Sequence, residues 1–168
     1  MKEILHRLPM RFKFALVLVL PLIALGWFAA SGAIARQAAV NELSRMQALT
    51  ALAQQAGGWV HQVQRERGMT AGFLGSQGKV FGDRLRQQRS DTDAAAEAFF
   101  QQRDQLDATL LTSTISSQLA AVEQQWQQNQ SLRDQVDLLS VATPEALGHY
   151  TGLNSLLMVL VGELAHLT

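Results

Sequence analysis

Residues 43–74, LSRMQALTALAQQAGGWVHQVQRERGMTAGFL, carry the pattern that decides the fold. Mostly apolar residues recur there at steps of three, four or seven, as along one face of an α-helix. These positions are Leu43, Met46, Thr50, Ala53, Val60, Val63, Arg67, Thr70 and Leu74. No proline occurs between Leu22 and Thr143, and Ala, Leu and Gln, which favour helices, are frequent. The sequence therefore predicts an all-α protein and excludes an all-β or disordered one.

Three further helices are predicted after this one, at about residues 81–110, 115–139 and from 143 to the chain end. Residues 75–78, GSQG, form a flexible turn after the first helix. The last helix opens with Thr143 as N-cap, Pro144 at the first helical position and Glu145 in the first turn. Because the connections are short, the helices are expected to form an antiparallel up-and-down bundle.

The composition limits the function. With 14 Lys+Arg against 14 Asp+Glu there is no excess charge for binding nucleic acid, and we expect no nucleic-acid partner. The absence of Cys excludes disulfide scaffolds, thiol nucleophiles and Cys-ligated metals. The histidines lack metal-ligand spacing, and no catalytic triad, paired-carboxylate motif or phosphate loop is present. We therefore expect neither an enzyme nor a metal or cofactor.

Residues 14–35, FALVLVLPLIALGWFAASGAIA, are uncharged and long enough to cross a bilayer of about 30 Å at about 1.5 Å per residue. In residues 1–13, basic side chains outnumber the single acid Glu3. By the positive-inside rule, this basic stub is expected in the cytoplasm, and everything after Arg36 is expected to be exported across the membrane that residues 14–35 span. The alternative is a cleaved signal peptide with Ala33-Ile34-Ala35 as its cleavage site, which also exports the remainder.

Two arginines fall on stripes that are expected to face the bundle interior, Arg67 in the first helix and Arg89 in the second. A guanidinium on an inward face needs an anionic partner. The two could converge on one small oxyanion, because the planar guanidinium donates paired N–H groups. The alternative, preferred from the residues alone, is an internal ion pair: Glu66 with Arg89, or Arg67 with Asp93. Arg65 lies on the thin, glycine-bearing side of its helix.

Residues 64–78, QRERGMTAGFLGSQG, resemble the Q-x-E-R-G-x-S/T-A-G…S-x-G signature of nitrate- and nitrite-sensing (NIT) domains. Downstream, Gln88-Arg89 with Thr92-Asp93 is similar to that family's Q-R-x-x-T-D, and Tyr150 with Leu153-Asn154 to its Y-x-x-L-N. The resemblance extends from about residue 40 to the C-terminus.

The resemblance implies an all-helical domain of two stacked four-helix bundles that senses nitrate or nitrite through arginines. It makes Arg67 the first expected anion contact, followed by Arg89 and Arg65. The supporting residues are Glu66, Gly68, Thr70 and Asn154. Because the family domain is nearly twice as long as residues 36–168, this part is expected to be the N-terminal portion of a truncated domain.

Two functional hypotheses follow from the sequence. The first is the extracytoplasmic sensor region of a membrane-anchored chemoreceptor or sensor kinase, expected to be a homodimer, which binds nitrate or nitrite and passes the signal across the membrane. The alternative is a membrane-anchored structural or dimerisation module without a small ligand, in which the ERG segment only packs the bundle.

Overall fold

The computed structural model describes residues 10–107 and 110–166, and this part of the chain is all-α, as predicted. It contains five helices: α1 (Met10–Gly75), α2 (Gly82–Asp104), α3 (Ser113–Gln127), α4 (Asn129–Asp137) and α5 (Thr143–His166). The chain divides into two compact units, Met1–Ser44 and Arg45–Thr168.

The first unit contains the apolar residues 14–35, which lie within α1. The large apolar side chains described there are exposed: Leu18, Val19, Leu22, Ile23, Leu25, Trp27, Phe28 and Ile34. Among the described residues, α1 is the one helix long and apolar enough to cross a membrane. A signal sequence meets the same requirement, so both alternatives stay open. Residues 1–9 of the predicted basic stub lie outside the described residues.

In the second unit, contacts between helices show the up-and-down order. As the contacting residue of α1 comes later in the chain, its partner comes earlier: Trp59 contacts Phe99 and Gln62 contacts Gln88 in α2, and Gly72 lies against Phe81, which directly precedes α2. The contacts of α2 with α3 and α4 have the same antiparallel order: Arg103 with Glu123, Asp93 with Arg133, and Arg89 with Asp137. Therefore α3 and α4 together form the third element of a four-helix bundle, and α5 the fourth.

A cluster of aromatic rings fills part of the core. Trp59 of α1 is fully buried, and its ring centroid lies 5.3 Å from Phe99, 5.5 Å from Phe100 and 5.0 Å from Trp126. The cluster joins α1, α2 and α3. Tilted and edge-to-face rings at this distance stabilise a core beyond the area they bury. Trp59 thus belongs to the core, and Trp126 packs against it while half-buried.

Two helix boundaries differ from the predictions. The second helix ends at Asp104 rather than near residue 110, and Thr112 begins a new helix by accepting a hydrogen bond from the Ile115 backbone N–H at 3.2 Å. The predicted helix at 115–139 is divided into α3 and α4 at Gln128. There the backbone N–H bonds to the Gln125 carbonyl, an i→i+3 contact that tightens the turn and interrupts the α-helical pattern.

The turn between α1 and α2 depends on one close approach. Phe81 adopts a positive φ of 70°, which brings its ring against α1. A Cβ on Gly72 would lie 2.5 Å from that ring. Gly78, with φ of 78°, supplies the left-handed turn residue. The backbone N–H of Val80 donates to the Ser76 hydroxyl at 3.1 Å. The predicted GSQG turn is confirmed, and Gly72 has a packing reason to be glycine.

Candidate functional site

Glu66 is the charged residue at the centre of the bundle, and it is fully buried. Arg133 of α4 binds it with two parallel hydrogen bonds, from Nε to Oε1 at 2.8 Å and from Nη2 to Oε2 at 2.9 Å. The Tyr150 hydroxyl of α5 donates to Oε1 at 2.9 Å. A bidentate arginine and a phenol together satisfy a carboxylate that burial would otherwise destabilise strongly.

Arg133 uses its remaining donors within the bundle as well. Its Nη1 donates to Asp93 Oδ1 at 2.7 Å, and its Nη2 makes a longer contact of 3.4 Å with the Arg89 carbonyl. With its side-chain oxygen towards the guanidinium, Asn129 accepts from Arg133 Nε at 3.0 Å. The Trp126 ring lies 5.5 Å from the guanidinium carbon. Arg133 is therefore enclosed and fully engaged.

The cluster shifts the pKa of each partner of Glu66. Burial alone lowers the pKa of Arg133, but the hydrogen bonds and charges of Glu66 and Asp93 more than offset this and raise it above its usual range. The pKa of Tyr150 is also raised, first by burial and then by the nearby Glu66 charge. Both pKa shifts favour the charged guanidinium and the protonated phenol.

His149, next to Tyr150, borders this cluster. Its Nδ1 lies 3.0 Å from the side-chain nitrogen of Gln125. Burial lowers the pKa of His149, and the Glu66 charge partly opposes this effect. The ring is therefore neutral near pH 7, and it does not supply a positive charge to an anion.

Arg89 faces the interior, as predicted, with 11% of its side chain exposed. Its Nη1 donates to Asp137 Oδ2 at 2.8 Å, and its Nη2 lies 3.5 Å from the Arg133 carbonyl. The Nε atom is buried without a hydrogen-bond partner. Arg89 thus retains a donor that could serve a further acceptor.

The predicted ion pairs, Glu66 with Arg89 and Arg67 with Asp93, are both wrong. Glu66 and Asp93 are bound by the same guanidinium, that of Arg133, which the sequence analysis did not select. A signal for Arg133 was present, since it lies four residues after Asn129 and three before Val136, which is the spacing of one helix face. Glu66 does form an ion pair in the interior, but its cation is Arg133 rather than Arg89.

The prediction that Arg67 faces the interior is wrong, because Arg67 is exposed. The buried positions of α1 follow steps of three and four through Leu49, Leu52, Ala56, Trp59, Val63, Glu66 and Thr70. The predicted stripe shared Val63 and Thr70 with this face but took Arg67 in place of Glu66. A buried glutamate is stable here only because Arg133, far away in sequence, neutralises it. Arg67 and Arg89 therefore do not meet in the bundle interior.

The other predicted site residues lie at different depths. Arg65 is exposed, and Gly68 has open space where a Cβ would be. Thr70 is fully buried one turn after Glu66. Asn154 of α5 is half-buried, and its Oδ1 is buried without a hydrogen-bond partner.

A cleft of about 580 Å³ between α2 and the third element includes Asp93, Glu97, Phe100, Trp126 and Arg133 in its lining. Asp93 and Glu97 bring two negative charges to this cleft, and the guanidinium that lines it, Arg133, is already paired with Asp93 and Glu66. The cleft therefore does not attract an anion. The outer face of α1 is different: Arg65 and Arg67 flank Gly68 and none of the three is buried. Of the two surfaces, the outer face of α1 is the one that suits an anion.

Comparison with known proteins places these motifs in a family. A family model described as "Nitrate and nitrite sensing" (NIT) matches residues 59–168, which is more than half of the chain. A search of curated proteins found no match. Among solved structures, one titled "Structure of the NasR transcription antiterminator" is similar, with a TM-score of 0.72 and 25% sequence identity. The match covers 86% of this chain and 38% of that one, so this chain corresponds to well under half of its length.

Proposed function

This chain belongs to the nitrate- and nitrite-sensing (NIT) family, and from that membership we propose that it binds nitrate or nitrite as the sensor region of a bacterial signal-transduction receptor. The observation that carries the proposal lies within the signature segment. Arg65 and Arg67 are exposed on either side of Gly68, where the helix carries no side chain. Arg65 and Arg67 lie about 160° apart around the axis of α1, with Gly68 between them, so their long side chains would reach a small ligand beside Gly68 from opposite sides. The proposed role is sensory and not enzymatic.

The ligand chemistry suits these residues. Nitrate is planar and carries one negative charge, and a guanidinium presents two parallel N–H donors in a plane. Arg67 is the first proposed contact and Arg65 the second, with Gly68 leaving space beside them. Arg89 faces the bundle interior, apart from the exposed Arg67, and is proposed as a separate anion contact. Its Nε is unpaired, and its bond to Asp137 is one that an anion could replace. Glu66, Thr70 and Asn154 are proposed as supporting residues.

We expect nitrate to stabilise the wild-type chain against unfolding. The Arg67→Ala variant should not be stabilised by nitrate. Ligand at about 100 times Kd adds about 2.7 kcal/mol to the free energy of unfolding. Because Arg67 is exposed, Arg67→Ala should change the unliganded stability by no more than about 0.5 kcal/mol. Arg65→Ala should also weaken the shift. The measurement is thermal unfolding of the full chain in detergent micelles, with and without sodium nitrate.

Sodium chloride at equal concentration controls for ionic strength, and Arg86→Ala removes an equally exposed arginine of α2 as the matched variant. Chloride should not stabilise the wild type to the same extent as nitrate. Arg86→Ala should show the same nitrate shift as the wild type. An unchanged shift in Arg67→Ala would remove this residue from the site. Equal stabilisation by chloride would show that the anion effect is not specific.

Gly68→Ala should stabilise the fold and weaken nitrate binding at the same time. A Gly→Ala change inside a helix stabilises by up to about 1 kcal/mol, and a Cβ at this position meets nothing in the structure. The same methyl group would occupy the space proposed for the anion. Gly58→Ala, equally open and also in α1, is the control. It should stabilise the fold and leave nitrate affinity unchanged. If the two variants bind nitrate equally, Gly68 does not border the site.

For the cellular location, we propose that residues 1–13 are cytoplasmic, residues 14–35 anchor the chain in the inner membrane and residues 36–168 are periplasmic. A homodimer is proposed for the receptor. The proposed topology is supported by the uncharged segment in α1 and the basic residues before it. A reporter enzyme that is active only in the periplasm, fused after Gly78, should be active. The same fusion with a reporter active only in the cytoplasm should be silent, and activity there would reverse the orientation.

A structural or dimerisation module is the second candidate, and one observation favours it. Glu66 and Arg89 of the signature motifs both have ion-pair partners within the bundle. If the motifs only packed the bundle, no anion would be required. A fully folded chain that gives no heat with nitrate in titration calorimetry would support this alternative over the sensor.

A further inference from the structure

Three helices meet at one carboxylate. Glu66 belongs to α1, Arg133 to α4 and Tyr150 to α5, and all three hydrogen bonds between them are 2.8–2.9 Å long. The two parallel bonds from Arg133 restrict the direction of the carboxylate as well as its distance. A rotation of α1 about its axis would break them. At this level of the bundle, the contact therefore helps to hold the buried face of α1 inward.

This rotation also determines where the neighbouring side chains point. Successive residues of an α-helix are about 100° apart around the axis, so Arg65 and Arg67 lie on the two sides of Glu66 and Gly68 lies nearly opposite to it. Both arginines are exposed, and the position of Gly68 is open. The bonds that bury Glu66 thus present the two guanidiniums outward.

Arg133 itself is not available to bind an anion. Only 5% of its side chain is exposed, and its donors are engaged with Glu66, Asp93 and the Arg89 carbonyl. Its two carboxylate partners already exceed its own charge. Its paired bonds to Glu66 are its link to α1, where Arg65 and Arg67 lie, so an influence on these two arginines passes through Glu66.

We propose that Arg133 is a positioning residue for anion binding, which acts through its paired hydrogen bonds to Glu66 to hold α1 in the rotation that presents Arg65 and Arg67. The inference rests on the proposed function, since it requires that these arginines bind the anion. A merely structural role would change the stability of the bundle without changing the affinity of the folded protein. Affinity is therefore the property to measure.

The test is titration calorimetry of the full chain in detergent micelles with sodium nitrate, after subtraction of the sodium chloride signal. Glu66→Leu/Arg133→Met removes both charges together, and replacing a buried ion pair with apolar groups of similar size often preserves the fold. We expect its Kd for nitrate to rise about tenfold, because a group that orients the binding residues is lost. Arg133→Lys keeps the charge but loses the planar fork, and should show a smaller rise, of about threefold.

The matched control is Arg103→Gln/Glu123→Gln, which removes another ion pair between helices, one that does not involve α1. Its Kd should equal that of the wild type. If the wild type binds nitrate and both test variants have the same Kd as the wild type, this inference alone is overturned. An equal loss in the control pair would also overturn it, since the effect would then be general loosening. No binding to the wild type would overturn the proposed function and the inference together. If the double variant does not fold, Arg133→Lys decides by the same criterion.

Discussion

Arg133→Met should lower the free energy of unfolding by about 3–5 kcal/mol, measured by urea denaturation at pH 7. The reason is that the substitution removes the cation that neutralises Glu66. That carboxylate is fully buried, and without Arg133 it keeps one hydrogen bond, from Tyr150, and no positive charge. An uncompensated buried charge is among the most destabilising changes a core can undergo. Asp93 contributes little to the loss, because about half of its side chain is exposed and stays hydrated.

The matched variant for this prediction is the double substitution Glu66→Leu/Arg133→Met. It removes the buried carboxylate together with the guanidinium and should recover most of the lost stability. The difference between single and double variants measures the coupling of the pair. A cost below about 1 kcal/mol for Arg133→Met would contradict the description of Glu66 as a buried, ionised group that depends on Arg133.

Trp59→Ala should lower the free energy of unfolding by about 3–5 kcal/mol, in the same denaturation experiment. Its indole is fully buried and contacts Phe99, Phe100 and Trp126 from two other helices. Removing it leaves a cavity that these three rings cannot fill without moving, and lost apolar burial and lost ring contacts add to the cost.

Trp27→Ala is the control for this substitution. Trp27 lies in the first unit and is 78% exposed, so the same truncation there removes no bundle contact. The unfolding of the second unit should be unchanged within about 0.5 kcal/mol. Similar losses in the two variants would contradict the assignment of Trp59 to the bundle core.

Much of the fold could be predicted because its signals are local. The GSQG turn was placed correctly by glycines and a serine that act within a few residues, and the last helix begins at the predicted Thr143. The division of the third predicted helix was missed. Gln128 and its neighbours are ordinary helix formers, so nothing in their identity signals a tightened turn.

The site was predicted in part. The signature around residues 64–78 was recognised, and Arg89 faces the interior as expected. The inward face of α1 was displaced by one residue at Arg67, because a sequence pattern treats Glu66 and Arg67 as equally unsuited to burial. The structure distinguishes them by supplying a cation to only one.

By itself the sequence determined the helical class, the number of bundle elements, the uncharged N-terminal segment and the family. Each depends on periodicity, composition or short motifs that act within one or two helical turns. Only the tertiary structure decided that Glu66 is buried and Arg67 exposed. That choice depends on Arg133 and Tyr150, which lie 67 and 84 residues further along the chain. The stability of a buried charge depends on the partner that meets it in three dimensions, and no local pattern records which partner that is.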